Sequence, residues 1–256
     1  MQRAHHNGAR VVALTDHDTL AGLAEARAEA ERLGMCFVPG VEVSVTWSGR
    51  TVHIVGLGVE QGTPALQQGL ARLREFRDWR AEEIGRRLER SGIPGMYEQA
   101  CRLSGGSLIS RTHFARALVE AGRADSVSGV FRKFLVNGKP GHVAGEWANL
   151  EEAVAWIVGA GGQAVIAHPA RYGLTRTKLR ALIKEFVDAG GVGMEVISGS
   201  HSRDETFTMA AHARDCALLA SAGSDFHDPA NPWIDIGRLP RLPDGVRPIW
   251  HDWGLN

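Results

Sequence analysis

The sequence is poor in cysteine, carries no net charge and lacks any long apolar run. Its three cysteines are widely spaced, and an odd number without a Cys-x-x-Cys pair fits neither a disulfide framework nor a thiolate zinc site. No segment approaches the roughly 20 apolar residues that span a bilayer. Residues 1–8 also lack the apolar core of a secretion signal. We therefore expect a cytoplasmic protein without membrane contact.

The charge balance and the missing motifs exclude further classes of protein. The 29 basic side chains match 29 acidic ones, which argues against nucleic-acid binding through bulk basicity. The sequence has no Walker A loop, no Gly-x-Gly-x-x-Gly motif and no Ser-His-Asp order. A hydrophobic content of 44% over 256 residues is enough for one buried core, or for one domain with an insertion.

Strand and helix patterns alternate in the first part of the chain. An apolar strand at residues 10–14 precedes a helix at residues 20–33, which Asp18 or Thr19 is expected to cap. Alternating apolar residues then predict a β-hairpin within residues 41–57.

The alternation returns at Asn149, which forms a predicted capping box with Glu152. Strands and helices follow one another to residue 221, and this order predicts a parallel sheet with crossover helices. A proline-rich, irregular tail begins near Pro229. The stretch between the two alternating parts is mainly helical and is interpreted as an insertion. The predicted divisions are residues 1–62, 63–146 and 147–256.

Polar side chains occur at the end, or on the polar face, of five apolar strands. Because the carboxyl ends of parallel strands carry the chemistry of α/β folds, we expect these side chains to share one rim. Taken singly, each has an ordinary interpretation as a core histidine or a helix cap. The candidates are Asp16, His17, Asp18, Glu42, His53, His168, Asp225 and His227.

These residue types favour metal-assisted hydrolysis. Imidazole and carboxylate groups are the donors suited to zinc, manganese and iron. A carboxylate such as Glu42 can bridge two ions about 3.5–4 Å apart, as in two-metal hydrolases. Such ions lower the pKa of water and hold a phosphoryl group.

The candidate residues lie in five short motifs. These are Thr-Asp-His-Asp at 15–18, Gly-Val-Glu at 40–42, Val-His-Ile-Val-Gly-Leu-Gly at 52–58, Ala-His-Pro at 167–169 and Ser-Asp-Phe-His at 224–227. In this order they resemble the motifs of the PHP-domain phosphoesterases. Within that family the chain is similar to the 3′,5′-nucleoside bisphosphate phosphatases, some of which also trim RNA from its 5′ end. The resemblance covers almost the whole chain, including residues 109–114 and 138–141.

The resemblance implies a distorted (β/α)7 TIM-like barrel with up to three divalent metal ions, with manganese expected and iron, zinc or magnesium as alternatives. On this pattern Glu42 bridges two ions, and His53 and His168 complete the second site. Asp225 serves the first site, while His17 and His227 serve the third. Asp16 orients a ligand without binding metal itself.

The predicted insertion supplies most of the expected phosphate-binding residues. Arg77 and Arg80 lie three residues apart and hence on one helix face, which alternatively is a solvated face paired with glutamates. His113 alternatively packs under the insertion. The expected substrate-binding residues are Arg77, Arg80, Arg111, His113, Lys139 and Arg171.

One family motif has no counterpart in this sequence. The PHP pattern opens with a strand carrying Asp-x-His-x-His, whereas residues 1–8 are interpreted as the end of the first helix. We therefore expect two histidines of the first metal site, one aspartate of the third and one barrel strand to be missing. The chain is interpreted either as an N-terminally truncated form of an active enzyme or as a natural short form with an impaired cluster.

Three functions follow from these expectations. The first is removal of the 3′-phosphate from nucleoside 3′,5′-bisphosphates, for example to AMP. The second is 5′-to-3′ exoribonuclease action on short RNA 5′ ends. The third is a catalytically impaired module that binds nucleotides or RNA ends. No protein partner can be inferred.

Overall fold

A computed structural model of the chain describes residues 1–227 and 234–254. Its mixed α/β architecture contains a single six-stranded sheet among these residues, in the order β1-β2-β3-β4-β5-β6. Part of the predicted tail, residues 228–233 and 255–256, lies outside the described residues. The strands are β1 Val11–Leu14, β2 Cys36–Trp47, β3 Arg50–Leu57, β4 Gln163–Ile166, β5 Gly193–Ser198 and β6 Leu219–Gly223.

The sheet is mixed, and the prediction of a parallel sheet outside the β-hairpin was wrong for one strand pair, β3·β4. β2 and β3 form the predicted hairpin, in which Trp47 pairs with Arg50 across the turn. Because a hairpin reverses the chain, β3 also runs antiparallel to β4. The remaining pairs, β1·β2, β4·β5 and β5·β6, are parallel as expected. The described residues contain six strands, and the (β/α)7 strand count stays a prediction.

β2 is one long strand that pairs with two neighbours. Its first residues pair with β1, and from Gly40 onward it pairs with β3. An added Cβ at Gly40 would lie 2.7 Å from the Thr15 methyl and 2.9 Å from the Gly56 carbonyl oxygen. Only glycine therefore lets the segment after β1 lie directly against β2.

Helices cover the sheet and build a second compact unit. The chain divides into residues 1–70 with 148–256, which contain the sheet, and residues 71–147, which are helical. In the first unit α2 packs on β1 and β2, α7 on β2 to β4, and α9 on β5 and β6. The helices are α1 Gln2–His6, α2 Leu23–Arg32, α3 Pro64–Arg90, α4 Met96–Ser104, α5 Arg111–Glu120, α6 Val127–Val130, α7 Leu150–Gly159, α8 Arg176–Asp188 and α9 Arg203–Asp215.

Each unit has its own apolar core. The helical unit buries Ile84, Leu88, Phe114 and Leu118 in one cluster.

In the sheet unit, α7 begins with the predicted capping box, in which Asn149 and Glu152 satisfy each other's backbone N–H groups.

The start of α2 differs from the prediction. Neither Asp18 nor Thr19 caps the helix, which begins after Gly22 without a side-chain cap. Asp18 is instead fully buried, and its carboxylate accepts a hydrogen bond from the Ser44 N–H at 2.7 Å. A carboxylate fixed to β2 in this way is not available to the helix terminus.

Candidate metal centre

One buried carboxylate, Glu42, lies among three imidazoles. His53 Nδ1 and His168 Nε2 are each 3.0 Å from Glu42 Oε1. His17 Nδ1 is 3.2 Å from the other carboxylate oxygen, Oε2. The four predicted ligands from four different segments of the chain therefore meet at one point.

The register of the sheet explains why these side chains meet. Ser44 pairs with His53 across the hairpin, and Glu42 lies two residues from Ser44, so all three side chains point to one face of the sheet. His17 reaches the same place because the segment after β1 continues alongside β2, with an isolated bridge between His17 and Glu42. His168 follows the end of β4, next to β3.

The electrostatics of the centre are governed by burial and by the imidazoles. Burial by itself raises the pKa of Glu42, but the neighbouring His17 and His53 and the hydrogen bond with His168 hold that pKa well below its usual range. Glu42 is therefore ionised, and each of its oxygens faces at least one imidazole nitrogen.

The donor geometry fits a divalent metal ion. Glu42 Oε1, His53 Nδ1 and His168 Nε2 form a triangle with edges of 3.0, 3.0 and 3.3 Å. Two ligands of one tetrahedral ion, each at about 2.1 Å, are separated by about 3.4 Å. The spacing of the triangle is thus close to that of one face of a coordination shell. His17, Glu42 and His53 also offer ligand atoms within 4.8 Å of one another.

Asp225 and His227 lie near this cluster but have other contacts. Asp225 Oδ2 accepts a hydrogen bond from Arg171 Nη1 at 2.8 Å, and His227 Nδ1 lies 3.3 Å from Asp225 Oδ1. The His227 ring is 6.1 Å from the His17 ring, centroid to centroid. Arg171, expected to bind substrate, is thus an exposed partner of Asp225.

Asp16 contacts Glu42 through its backbone. Its carbonyl oxygen accepts a hydrogen bond from the Glu42 N–H at 3.1 Å. Burial raises the pKa of its carboxyl group, and the nearby His227 partly opposes this effect. Its expected role as an orienting residue stays a prediction.

The sequence suggested Asp18 as a helix cap or a candidate ligand. In the structure it connects the segment of residues 15–18 to β2. Its N–H donates to the Glu42 carbonyl oxygen at 2.9 Å, and its carboxylate accepts from Ser44. Its φ of 53° lies in the left-handed region. These two hydrogen bonds, to the backbone of residues 42 and 44, hold the segment of residues 15–18 against β2. They thereby fix the position of His17 relative to Glu42.

We expect Asp18→Ala to lower the free energy of unfolding by about 1–3 kcal/mol, because the buried Ser44 N–H loses its acceptor. For a chain of this size each kcal/mol corresponds to about 2–4 °C in Tm. Thermal unfolding of the metal-free protein measures the change. Asp18→Asn serves as the control, because its amide oxygen still accepts and asparagine tolerates a positive φ. Equal Tm values for wild type and Asp18→Ala would contradict the assignment.

Glu195 is a residue that the sequence analysis missed. It is buried in β5, and its Oε2 accepts a hydrogen bond from the His168 N–H at 2.6 Å. A signal was present, because Gly193-Met194-Glu195-Val196 repeats the pattern of Gly40-Val41-Glu42-Val43 in another apolar strand. Burial raises the pKa of Glu195 to about 7, although His168 opposes the shift.

The raised pKa of Glu195 predicts a specific pH dependence of stability. The folded state keeps the proton up to about pH 7, whereas the unfolded chain releases it near 4.5. The stability contributed by this group is therefore complete below pH 4.5 and is lost as the pH rises to about 7. Between pH 5 and pH 8, we expect the unfolding free energy of metal-free wild type, measured relative to Glu195→Gln, to fall by about 2 kcal/mol. Urea denaturation in EDTA tests this, and a pH-independent difference would contradict it.

The helical unit brings three of the predicted substrate-binding arginines together. The guanidinium groups of Arg77 and Arg80 lie 4.9 and 5.3 Å from the centre of the Trp147 ring. Burial and the neighbouring Arg111 and Arg77 lower the pKa of Arg80 to about 9. Burial and Arg77 also lower the pKa of Arg111. Gathered positive charges of this kind are stabilised by an anion.

Arg80 does not lie on a solvated helix face paired with glutamates, which was the alternative interpretation. Arg80 Nε and Nη2 donate to the Val143 carbonyl oxygen at 3.1 and 2.9 Å. Glu83 pairs with Arg86 and Arg87 instead.

His142 was missed at the sequence level, and two expected residues have other contacts. Burial and the charges of Arg80, Arg111 and Arg87 lower the pKa of His142, so it lies beside the arginines. His113 turns back to the start of α5, where its Nδ1 accepts from the Ser110 N–H at 3.1 Å. Lys139 is exposed, and its backbone N–H donates to the Val136 carbonyl oxygen at 3.0 Å.

Comparison with known proteins decides the family. A 3′,5′-nucleoside bisphosphate phosphatase from Chromobacterium violaceum is 51% identical over 253 residues, covering 98% of this chain and 89% of that protein. The chain belongs to this phosphatase family. Another relative is the 5′-3′ exoribonuclease Rnm of Escherichia coli, which is 45% identical over 244 residues. The match covers 94% of this chain and 83% of that protein. The chain is thus a phosphoric ester hydrolase by family, as the motifs predicted. No family model matches it.

Solved structures agree with the family assignment. An amidohydrolase from Chromobacterium violaceum, solved with bound sulfate and no metal, shares 52% identity at a TM-score of 0.92, with coverage of 97% of this chain and 87% of that one. A metal-dependent phosphoesterase from Bifidobacterium adolescentis shares 25% identity at a TM-score of 0.79, with coverage of 97% and 85%. Among residues 1–227 and 234–254, none of the helices combines the length and apolar character of a membrane span.

Proposed function

We propose that this phosphatase-family chain removes the 3′-phosphate from nucleoside 3′,5′-bisphosphates in a reaction that depends on manganese. The observation that supports this most directly is the ionised Glu42 carboxylate surrounded by His17, His53 and His168 at metal-ligand spacing. The relative from Chromobacterium violaceum that shares half of the residues is named for this substrate class.

The proposed metal ligands are His17, Glu42, His53, His168, Asp225 and His227. A bound divalent ion lowers the pKa of a water nucleophile and offsets phosphate charge. Glu42 holds the imidazoles in a common orientation, since its two oxygens face different histidines. Asp16 and Asp18 fix the segment that carries His17 against β2. We further propose that the six described strands belong to a distorted (β/α)7 barrel.

Binding of substrate phosphate is assigned to the arginines. In the helical unit, Arg77, Arg80 and Arg111 gather positive charge that a phosphate dianion would neutralise. In the sheet unit, Arg171 contacts Asp225. Among the expected contacts, His113 and Lys139 are the least supported by the geometry. His113 Nδ1 accepts a hydrogen bond from the Ser110 N–H, and Lys139 bonds to Val136 through its backbone.

The test is phosphate release from adenosine 3′,5′-bisphosphate by purified, Mn²⁺-loaded protein. We expect AMP and inorganic phosphate as products. The absence of phosphate release at every Mn²⁺ concentration would contradict the proposal.

A second candidate is 5′-to-3′ exoribonuclease action, favoured by the identity to Rnm. A 5′-phosphorylated oligoribonucleotide shortened one nucleotide at a time identifies it. A third outcome, tight nucleotide binding without turnover at any Mn²⁺ concentration, would identify an impaired binding module.

A further inference from the structure

We propose that Glu195 is a positioning residue, which sets the orientation of His168 by accepting the hydrogen bond of the His168 backbone N–H. The inference rests on the metal centre of the proposed function and extends it to a residue outside the ligand set. Glu195 lies on β5, and its carboxylate is 2.6 Å from that N–H.

The His168 N–H needs a side-chain acceptor because the sheet ladder ends there. The Ala167 N–H donates to the His53 carbonyl oxygen on β3. Successive N–H groups of a strand point to opposite sides, so the next one points towards β5. The pairing of β4 with β5 stops at Ile166 and Met194, and the chain then turns into the helical turn Pro169–Tyr172. The Glu195 carboxylate takes the place of the missing backbone acceptor.

The backbone at His168 is in a conformation that requires support. Its φ of 30° and ψ of 54° lie in the left-handed region, which a residue with a Cβ adopts at a cost. A rotation of this backbone would move the imidazole whose Nε2 lies 3.0 Å from Glu42 Oε1. The hydrogen bond from the His168 N–H to Glu195 therefore acts on the ligand geometry and not only on the fold.

Gly223 leaves room for the Glu195 side chain. A Cβ at this position on β6 would lie 2.5 Å from Glu195 Oε1, closer than any van der Waals contact allows. Glu195 is itself only 8% exposed. The carboxylate thus occupies space that the absence of a side chain on the next strand provides, with little freedom to move.

The experiment compares Glu195→Ala with Glu195→Gln in the metal-free 256-residue chain. Mn²⁺ affinity is measured by titration calorimetry without substrate, and the ring of His168 is followed by NMR before metal is added. We expect Glu195→Ala to weaken Mn²⁺ binding about 10–100-fold and to shift the His168 resonances. Glu195→Gln keeps an oxygen acceptor, so its affinity should stay within about threefold of wild type.

Glu185→Ala is the matched control. Glu185 also accepts a 2.6 Å hydrogen bond, from Trp47 Nε1, in the same unit, so its loss should change stability but not Mn²⁺ affinity.

Two results would overturn the proposal. Equal losses in Glu195→Gln and Glu195→Ala would make Glu195 a ligand or an essential charge. A lowered Tm in Glu195→Ala with unchanged Mn²⁺ affinity and unchanged His168 resonances would make its role purely structural.

A failure of the proposed phosphatase function can be distinguished from a failure of the positioning role. Normal Mn²⁺ binding without phosphate release contradicts the phosphatase assignment and leaves the positioning role standing. If wild type binds no Mn²⁺, the metal centre fails, and the resonances of His168 in the metal-free variants still decide whether Glu195 orients it.

Discussion

Glu42→Gln is expected to weaken Mn²⁺ binding at least about 100-fold and to remove measurable phosphate release. Both carboxylate oxygens of Glu42 face imidazole nitrogens, at 3.0 Å on the Oε1 side and 3.2 Å on the Oε2 side. An amide offers only one acceptor oxygen, and its NH2 group must face either His17 or the pair His53 and His168. No orientation of glutamine can therefore bind metal on both sides.

The measurement combines calorimetric titration of Mn²⁺ with phosphate release from adenosine 3′,5′-bisphosphate. Glu185→Gln is the control, since it also exchanges a hydrogen-bonded carboxylate for an amide but lies on α8, bonded to Trp47. Retention of wild-type Mn²⁺ affinity by Glu42→Gln would remove the basis of the metal centre. Circular dichroism confirms that each variant is folded before the affinities are compared.

Arg111→Met should raise KM for the bisphosphate about 10–100-fold, because a hydrogen bond between charged groups contributes about 1.5–3 kcal/mol. Arg111 lies at the first residue of α5, half-buried, and its guanidinium is close to Arg77 and 5.6 Å from the Phe131 ring centre. Methionine keeps much of the apolar packing, so the change isolates the loss of charge. The value of kcat should change much less, since the arginine binds phosphate in both ground and transition states.

Arg123→Met provides the control for Arg111→Met. It removes a cation from an exposed position just beyond the same helix, and it should leave KM unchanged. Initial rates over a range of substrate and salt concentrations separate the two variants. An unchanged KM in Arg111→Met would show that the arginine cluster does not bind the substrate.

The sequence was most informative where a polar residue lies within an apolar strand or directly follows its end. Glu42, His53 and His168 stood out for this reason, and the structure brings them together with His17. Glu195 carries the same signal but was not recognised, because its carboxylate serves a backbone N–H and no family motif drew attention to it.

Other contacts depend on distances that periodicity does not encode. Asp18 was expected at a helix start, yet burial makes its carboxylate an acceptor for Ser44. His142 gave no sequence signal, because its place beside Arg80 and Arg111 depends on how the chain folds back within residues 71–147. The hairpin was predicted, but the antiparallel pairing of β3 with β4 that accompanies it was not.

The amino-acid order by itself determined which chemical groups this protein carries: imidazoles and carboxylates spaced along apolar strands, and arginines, a residue type suited to phosphate, on a helix. Those properties are local, since they depend on residue type and on the period of a strand or helix. Only the tertiary structure decided which donors share a point in space, which arginines gather, and that Glu195 supports His168 through its backbone. These features depend on strand register and on room left at Gly223, which arise from contacts between residues far apart in the chain.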